Sequence, residues 1–225
     1  MTVYKLLYNH LLPTLFRMQD HTNWFIWIPI LGDVVRIKQR AINSLNLQRG
    51  SNVLVYSVGA GDELDFIVDR VGKEGSVVGV DFSEGMLKIA REKIQKNNWT
   101  NVKLVLADVR EYSPLSNNGY TFDAALSNFG YLDERVLHNL INAIKAGGII
   151  AISGPQPLKG IRKIFYPVTF VPEMLFGLTW KTLHKFPMYI GILNNELANV
   201  HIDDKTFAKY FVAVSGMRKK ISQQT

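Results

Sequence analysis

The run Val53-Leu-Val-Tyr-Ser-Val-Gly-Ala-Gly61, followed by Asp62-Glu63-Leu64-Asp65, carries the clearest structural signal in the chain. Val53 to Val58 is short, apolar and rich in β-formers, as a buried strand should be. Gly59-Ala60-Gly61 then turns the backbone, because glycine accepts positive φ and lets a ligand come close to the main chain. Asp62, Glu63 and Asp65 come next, where acids suit the positive end of a helix dipole. Strand, glycine turn and helix start together predict the ligand-side loop of a βαβ unit.

Downstream the same alternation repeats. Ser76 to Val80 reads as a second strand ending at Asp81, and Ser83 is a good N-cap for a helix over about Glu84 to Lys96. Val102 to Ala107 is the third strand, ending at Asp108, and Phe122 to Ser127 the fourth, with Val136 to Ile144 on the helix after it. Lys145 to Gly148 reads as a turn into a fifth strand, Ile149 to Ser153. Strands alternating with helices imply an α/β fold with a doubly wound, mostly parallel sheet. Ala198 to Ile202 and Thr206 to Ser215 look like a closing antiparallel hairpin within 198–217.

Two regions flank this core of 51–153. Residues 1–50 read as a helical lid, with Tyr4, Leu7, Tyr8, Leu11 and Leu12 at helical spacing and an aromatic patch at Trp24 to Trp27. Its last helix, about Gly32 to Leu45, carries Val34, Val35, Ile37, Lys38, Ala41, Ile42 and Leu45 on an apolar face. Residues 154–197 read as an insertion over an acceptor site, irregular over 154–187, where Pro155, Pro157, Pro167, Pro172 and Pro187 fall. The whole chain is read as a single domain of 1–225.

Composition narrows the function classes. Hydrophobic content of 47% and charged content of 20% describe a folded globular chain. Without cysteine there is no disulfide, thiolate metal site or cysteine nucleophile, and no metal is expected. The net charge of +7 favours an anionic partner, a membrane surface or nucleic acid. No signal-peptide pattern or spanning apolar run is present, so a cytoplasmic protein is expected, with peripheral attachment at an inner membrane surface left open.

Asp81 and Asp108 close successive strands, and strand carboxyl ends in such a sheet converge on one crevice beside the glycine turn. An acid about 20 residues past the glycines suits the hydroxyls of a ribose. A dinucleotide would want a third glycine where Leu64 stands, and a bare helix start for its pyrophosphate. Asp62 and Glu63 instead place negative charge there, which favours the cationic S-adenosylmethionine over NAD.

At this point the chain resembles the class I S-adenosylmethionine-dependent methyltransferases over about residues 45–155 and the terminal hairpin. Val53 to Gly61 is similar to their first motif and Val78-Gly-Val-Asp-Phe-Ser83 with Met86-Leu87 to their second. Leu106-Ala-Asp-Val109, Phe122 to Asn128 and Ala146 to Ser153 are similar to later ones. Ubiquinone/menaquinone methyltransferases and bacterial phospholipid N-methyltransferases look nearest, through Phe129-Gly130 and the ending Phe211 to Lys219. The resemblance implies a Rossmann-like sheet of about seven strands. It implies that Gly59, Ala60 and Gly61 pass beneath the cofactor and Asp81 binds its ribose. Phe82 would flank the adenine with Met86 nearby, and Asp108 and Val109 would meet its edge. Ser127 and Asn128 would line the methionine moiety. Ser57 stands where the resemblance implies an acid for the cofactor's amino group, a change that would either weaken cofactor binding or pass the task to Asp62.

The acceptor is expected to be small, apolar or lipid-like, either a phospholipid head group or a quinone. No catalytic residue is fixed; His10, His21, Tyr8 and Asn128 are the candidates, while His138 and His201 read as structural. The basic and apolar mixture of the insertion, including Arg162, Lys163 and Phe165, suits an anionic lipid surface. A non-catalytic interaction module and a nucleic-acid methyltransferase are the rival readings. Against the second, Ser127-Asn-Phe-Gly130 replaces the Asn/Asp-Pro-Pro-Tyr/Phe motif of base amino methylation.

Overall fold

The computed structural model describes residues 29–114, 121–166 and 185–219. Helix α1, Pro29–Ser44, leads into strand β1, Asn52–Tyr56. Next come α2 (Leu64–Val71), β2 (Ser76–Asp81), α3 (Glu84–Lys96), β3 (Val102–Leu106), β4 (Phe122–Asn128), α4 (Glu134–Ala143) and β5 (Ile144–Pro155). Helix α5 (Phe186–Glu196), β6 (Leu197–Asp203) and β7 (Phe211–Arg218) complete the order. The seven strands lie as β3-β2-β1-β4-β5-β7-β6. Neighbours from β3 through β5 run parallel, whereas β7 is antiparallel to both β5 and β6. The direction of winding reverses between β1 and β4, and that switch opens a crevice at the strands' carboxyl ends.

Alternation along the strands divides the core in two. Val53 and Val55 of β1, Leu126 of β4 and Ala213 of β7 face α1, α2 and α3. Leu54 and Tyr56, with Ala125, Ile150 and Val212, face α4 and α5. Both faces of the inner strands are therefore covered, and these strands read as apolar runs for that reason. On the first face α1 contributes Val34, Ile37, Ala41 and Ile42, joined by Leu45 just past its end, all of them from the predicted apolar stripe. The described part of the expected lid is thus a layer of the core, packed over β4, β5 and β7.

Three boundaries differ from the sequence reading. Phe186–Glu196, in the insertion and starting where the stretch read as irregular ends, is a regular helix whose Tyr189 and Leu193 are buried against the second face. Pro187 sits in its first turn, where the missing N–H had no helical partner to lose. The turn expected at Lys145 to Gly148 lies within β5 as a bulge: Phe122 pairs with Ile144, and Ala124 with Ile149. Finally, the last strand starts at Phe211, because the Thr206 hydroxyl bonds both the amide and the carbonyl of Phe211 and holds the chain in a turn until there. Residues 167–184 of the supposed insertion and 1–28 of the supposed lid fall outside the described residues.

Ile37 is fully buried between α1 and the sheet. Ile37→Ala should cost about 2–5 kcal/mol, read as a lower denaturant midpoint at unchanged slope. An unaltered midpoint would mean that α1 does not belong to the core.

Candidate active site

The crevice is built from the carboxyl ends of β1, β2 and β4. After Tyr56 the backbone enters the left-handed region at Ser57 (φ 55°), Gly59 (φ 55°) and Gly61 (φ 79°). The turn closes with the Gly61 amide donating to the Val58 carbonyl at 3.0 Å and the Leu64 amide to the Gly61 carbonyl at 3.1 Å. Ser57 therefore occupies a position whose backbone favours glycine, and its hydroxyl is no substitute for a carboxylate. The interior of β1 is apolar, so the acid of this site comes from elsewhere.

Asp81 ties two strands together at this point. One carboxylate oxygen accepts the Gly59 amide at 2.9 Å and the other accepts the Ser83 amide at 2.8 Å. The side chain is buried, with Asp81 5% exposed. Burial pushes its carboxyl above the usual range, opposed by the amides of Ser83, Gly59 and Phe82 and reinforced by the charge of Glu63. A carboxylate offers about four acceptor sites, so lone pairs remain for the hydroxyls of a ribose. Ser83 caps α3 as expected, accepting the Met86 amide at 3.2 Å. Phe82 is half-buried beside it, and Met86 is buried.

Asp108 comes after β3 in the next position along the edge. Its carboxylate is clasped by the Arg110 guanidinium and accepts the Arg110 amide at 3.0 Å. Arg110 in turn stacks over the Tyr131 ring, 5.5 Å from its centroid. An arginine clasp of this kind was not foreseen for the residue expected to meet an adenine. Val109 is buried in the second core face.

At the β4 end Ser127 and Asn128 are buried. Ser127 Oγ has no hydrogen-bond partner, although it is wholly shielded from solvent. Asn128 accepts from Ser153 Oγ at 2.6 Å and donates to Glu63 Oε1 across a long 3.4 Å. A methyl group at Gly130 would lie 2.7 Å from both Ser57 Oγ and Ser127 Oγ, so glycine keeps this corner open. The two hydroxyls and the amide form a polar cradle with one buried oxygen left over, which fits the polar tail of a nucleoside ligand.

The acids after the glycine turn divide unequally. Asp62 is half-exposed, whereas Glu63 is 5% exposed and points into the crevice network. Both meet Lys38 of α1, at 3.6 Å and 3.0 Å respectively. Burial works against the charge on Lys38, but the Glu63 and then the Asp62 carboxylates outweigh it and hold the ammonium above the ordinary lysine range. The turn is thus not the uncompensated anionic surface its sequence suggests. The missed residue left one signal, a lysine in the middle of a helix's apolar stripe, where an ionisable group needs a buried partner.

The remaining candidates do not gather here. His138 lies mid-way along α4, and His201 on β6, four strands from β1. His10, His21 and Tyr8 lie outside the described residues. Among the described residues no three histidine or acidic side chains come together as metal ligands.

Comparison with known proteins bears on the fold that carries this crevice. Residues 53–148 match the model of a methyltransferase domain. The fold recurs in solved structures, including an rRNA methylase from Streptococcus thermophilus (TM-score 0.59, 14% identity, 82% of this chain and 98% of that one). Another is a SAM-dependent methyltransferase from Thiobacillus denitrificans in complex with S-adenosyl-L-homocysteine (TM-score 0.58, 13% identity, 82% and 91%). Over residues 53–148 the chain is therefore similar to methyltransferase domains, and its sheet has the fold of solved S-adenosylmethionine-dependent methyltransferases. Its curated relatives include the demethylmenaquinone methyltransferases of Listeria welshimeri, 32% identical over 137 residues, and Shouchella clausii, 29% identical over 154. These alignments cover 58% and 66% of this chain, and 57% and 59% of the relatives' lengths.

Asp81→Asn keeps the shape but leaves one of the two amides facing an NH2 group. We expect a stability loss of about 1–3 kcal/mol together with at least tenfold weaker S-adenosylhomocysteine binding by calorimetry. Wild-type binding in this variant would remove Asp81 from the ligand site.

Proposed function

We propose that this chain transfers a methyl group from S-adenosylmethionine to a quinone-type ring acceptor drawn from a membrane. The observation that carries this reading is the similarity to demethylmenaquinone methyltransferases, 32% identity over 137 residues and 29% over 154. S-adenosylmethionine supplies an electrophilic methyl group on a sulfonium. In this chain Asp81 would hold the ribose, the Gly59 to Gly61 backbone would lie under the nucleoside, and Ser127 with Asn128 would line its tail. Methyl transfer is an in-line displacement, so alignment and exclusion of water can provide most of the acceleration without a dedicated base.

A lipid-borne acceptor calls for a way to approach the membrane. Beyond β5, which delivers Ser153 to the crevice, the chain forms a short 3₁₀ turn, Gly160–Phe165. Its Ile161 is 80% exposed and Ile164 63% exposed, and Lys159 and Lys163 are exposed beside them. Apolar side chains flanked by cations suit insertion at an anionic lipid surface. Among the described residues no helix is long and apolar enough to cross a membrane.

Incubation with methyl-labelled S-adenosylmethionine and a panel of demethylmenaquinone, phosphatidylethanolamine and RNA tests the acceptor. Label should enter the quinone, and the Asp81→Asn protein should transfer at least tenfold less. Label in phospholipid or RNA instead would reassign the acceptor class, and failure to bind either S-adenosylmethionine or S-adenosylhomocysteine would leave an interaction module. Separately, the protein should co-sediment with vesicles containing phosphatidylglycerol and not with pure phosphatidylcholine. Ile161→Glu with Ile164→Glu should abolish that binding; unchanged co-sedimentation would discard this turn as the contact.

A further inference from the structure

The contact between Arg110 and Tyr131 joins two loops that the sheet keeps apart. Arg110 follows β3 and Tyr131 follows β4, and β2 and β1 lie between those strands. Three strand spacings separate them, about 14 Å. The loop after β3 closes part of this gap. Its Val109 and Tyr112 are buried on the second face. Tyr56, at the end of β1, donates to the Tyr112 carbonyl at 3.3 Å, and the two rings meet edge to face at 6.2 Å. The loop therefore crosses the end of β2 on that face, and from it the Arg110 guanidinium reaches the Tyr131 ring, 5.5 Å from its centroid. Asp81 and the glycine turn, at the ends of β2 and β1, lie beside this contact. The glycine turn leads into α2 on the first face, whereas Tyr131 precedes α4 on the second. The crevice is thus bounded by the turn on one side and by the Arg110–Tyr131 bridge on the other.

Both partners of the bridge stand out of the core. The Arg110 side chain is 51% exposed and Tyr131 is 45% exposed. Arg110 is aimed by Asp108 of its own loop, whose carboxylate accepts the Arg110 Nε at 2.9 Å and the main-chain amide at 3.0 Å. On the β4 side its hold is a cation over a ring, a contact that is weak where water has access. A bridge anchored at one end by a charged pair and at the other by a stacked ring can open without disturbing either face of the core. We propose that Arg110 and Tyr131 form a strap along the second-face side of the crevice, which parts to let a nucleoside ligand enter or leave. The assignment rests on the cofactor reading proposed above. It adds a control on exchange, not a further contact with the ligand.

The test follows S-adenosylhomocysteine exchange on the full chain by surface plasmon resonance. Arg110→Ala and Tyr131→Leu should each raise the association and dissociation rates together, by about 3- to 10-fold, the closed-to-open ratio that one partly exposed cation–ring contact sustains. The dissociation constant should stay within about twofold, because a strap that closes equally over the filled and the empty crevice shifts no equilibrium. The double variant should be no faster than either single one, since both remove the same contact. Tyr131→Phe keeps the ring and should exchange as the wild type does. The chain has no cysteine, so Arg110→Cys with Tyr131→Cys can be joined by a short bismaleimide, which should slow both rates. Faster dissociation at unchanged association would make these side chains ligand contacts and overturn the strap. So would unchanged rates, additive effects in the double variant, or slower association, which would mean that the pair only supports the site. A wild type that binds no S-adenosylhomocysteine overturns the cofactor reading and the strap with it, a result distinct from any change of rate.

Discussion

The carboxylate of Asp81 is the constraint on which the crevice depends. It bridges the glycine turn after β1 and the start of α3 after β2 through two backbone amides, with almost no solvent to compete. Glycines that accept positive φ are conformationally loose by nature, and an acceptor of fixed position converts that looseness into one shape. The neighbouring Lys93 adds a second restraint from α3, donating to the Gly61 carbonyl at 3.1 Å. The same acid that shapes the turn is the one proposed to hold the ribose.

Much of the architecture was readable because period and punctuation agreed. The apolar runs of β1 and β4, Ser83 before α3, and the acids closing β2 and β3 each report a local rule, and the folded chain obeys them. Helix α5 was hidden by Pro187, since proline signals a break unless it falls in a first turn, and sequence alone did not say where that turn began. The bulge in β5 was hidden for a related reason: Gly147 and Gly148 punctuate the chain equally well as a turn between elements or as a defect inside one.

The site was legible only where it is local. Gly59, Gly61 and Asp81 could be placed from spacing, because in this fold the residues just past a strand's carboxyl end face the crevice. Lys38 could not, because its partners Asp62 and Glu63 lie in a different element beyond the first strand, and nothing in the helix names them. The charge balance of the crevice consequently changed its meaning, from an anionic rim to a compensated pair. Arg110 made a similar change at Asp108. Long-range electrostatics is written in three dimensions, and a periodicity reading has access to one.

The location of β7 bears on how the molecule is made. That strand lies inside the sheet, between β5 and β6, and α1 rests upon it, with Arg40 of α1 also reaching Asp203 at the end of β6. The helix emerges from the ribosome well before the strand that it covers, and pairing of such distant segments comes late in folding. Until β7 docks, the apolar stripe of α1 has an incomplete seat and Lys38 has no fixed approach to the glycine turn. A nascent chain would therefore form the glycine turn early and place the cation beside Asp62 and Glu63 only upon final closure of the sheet.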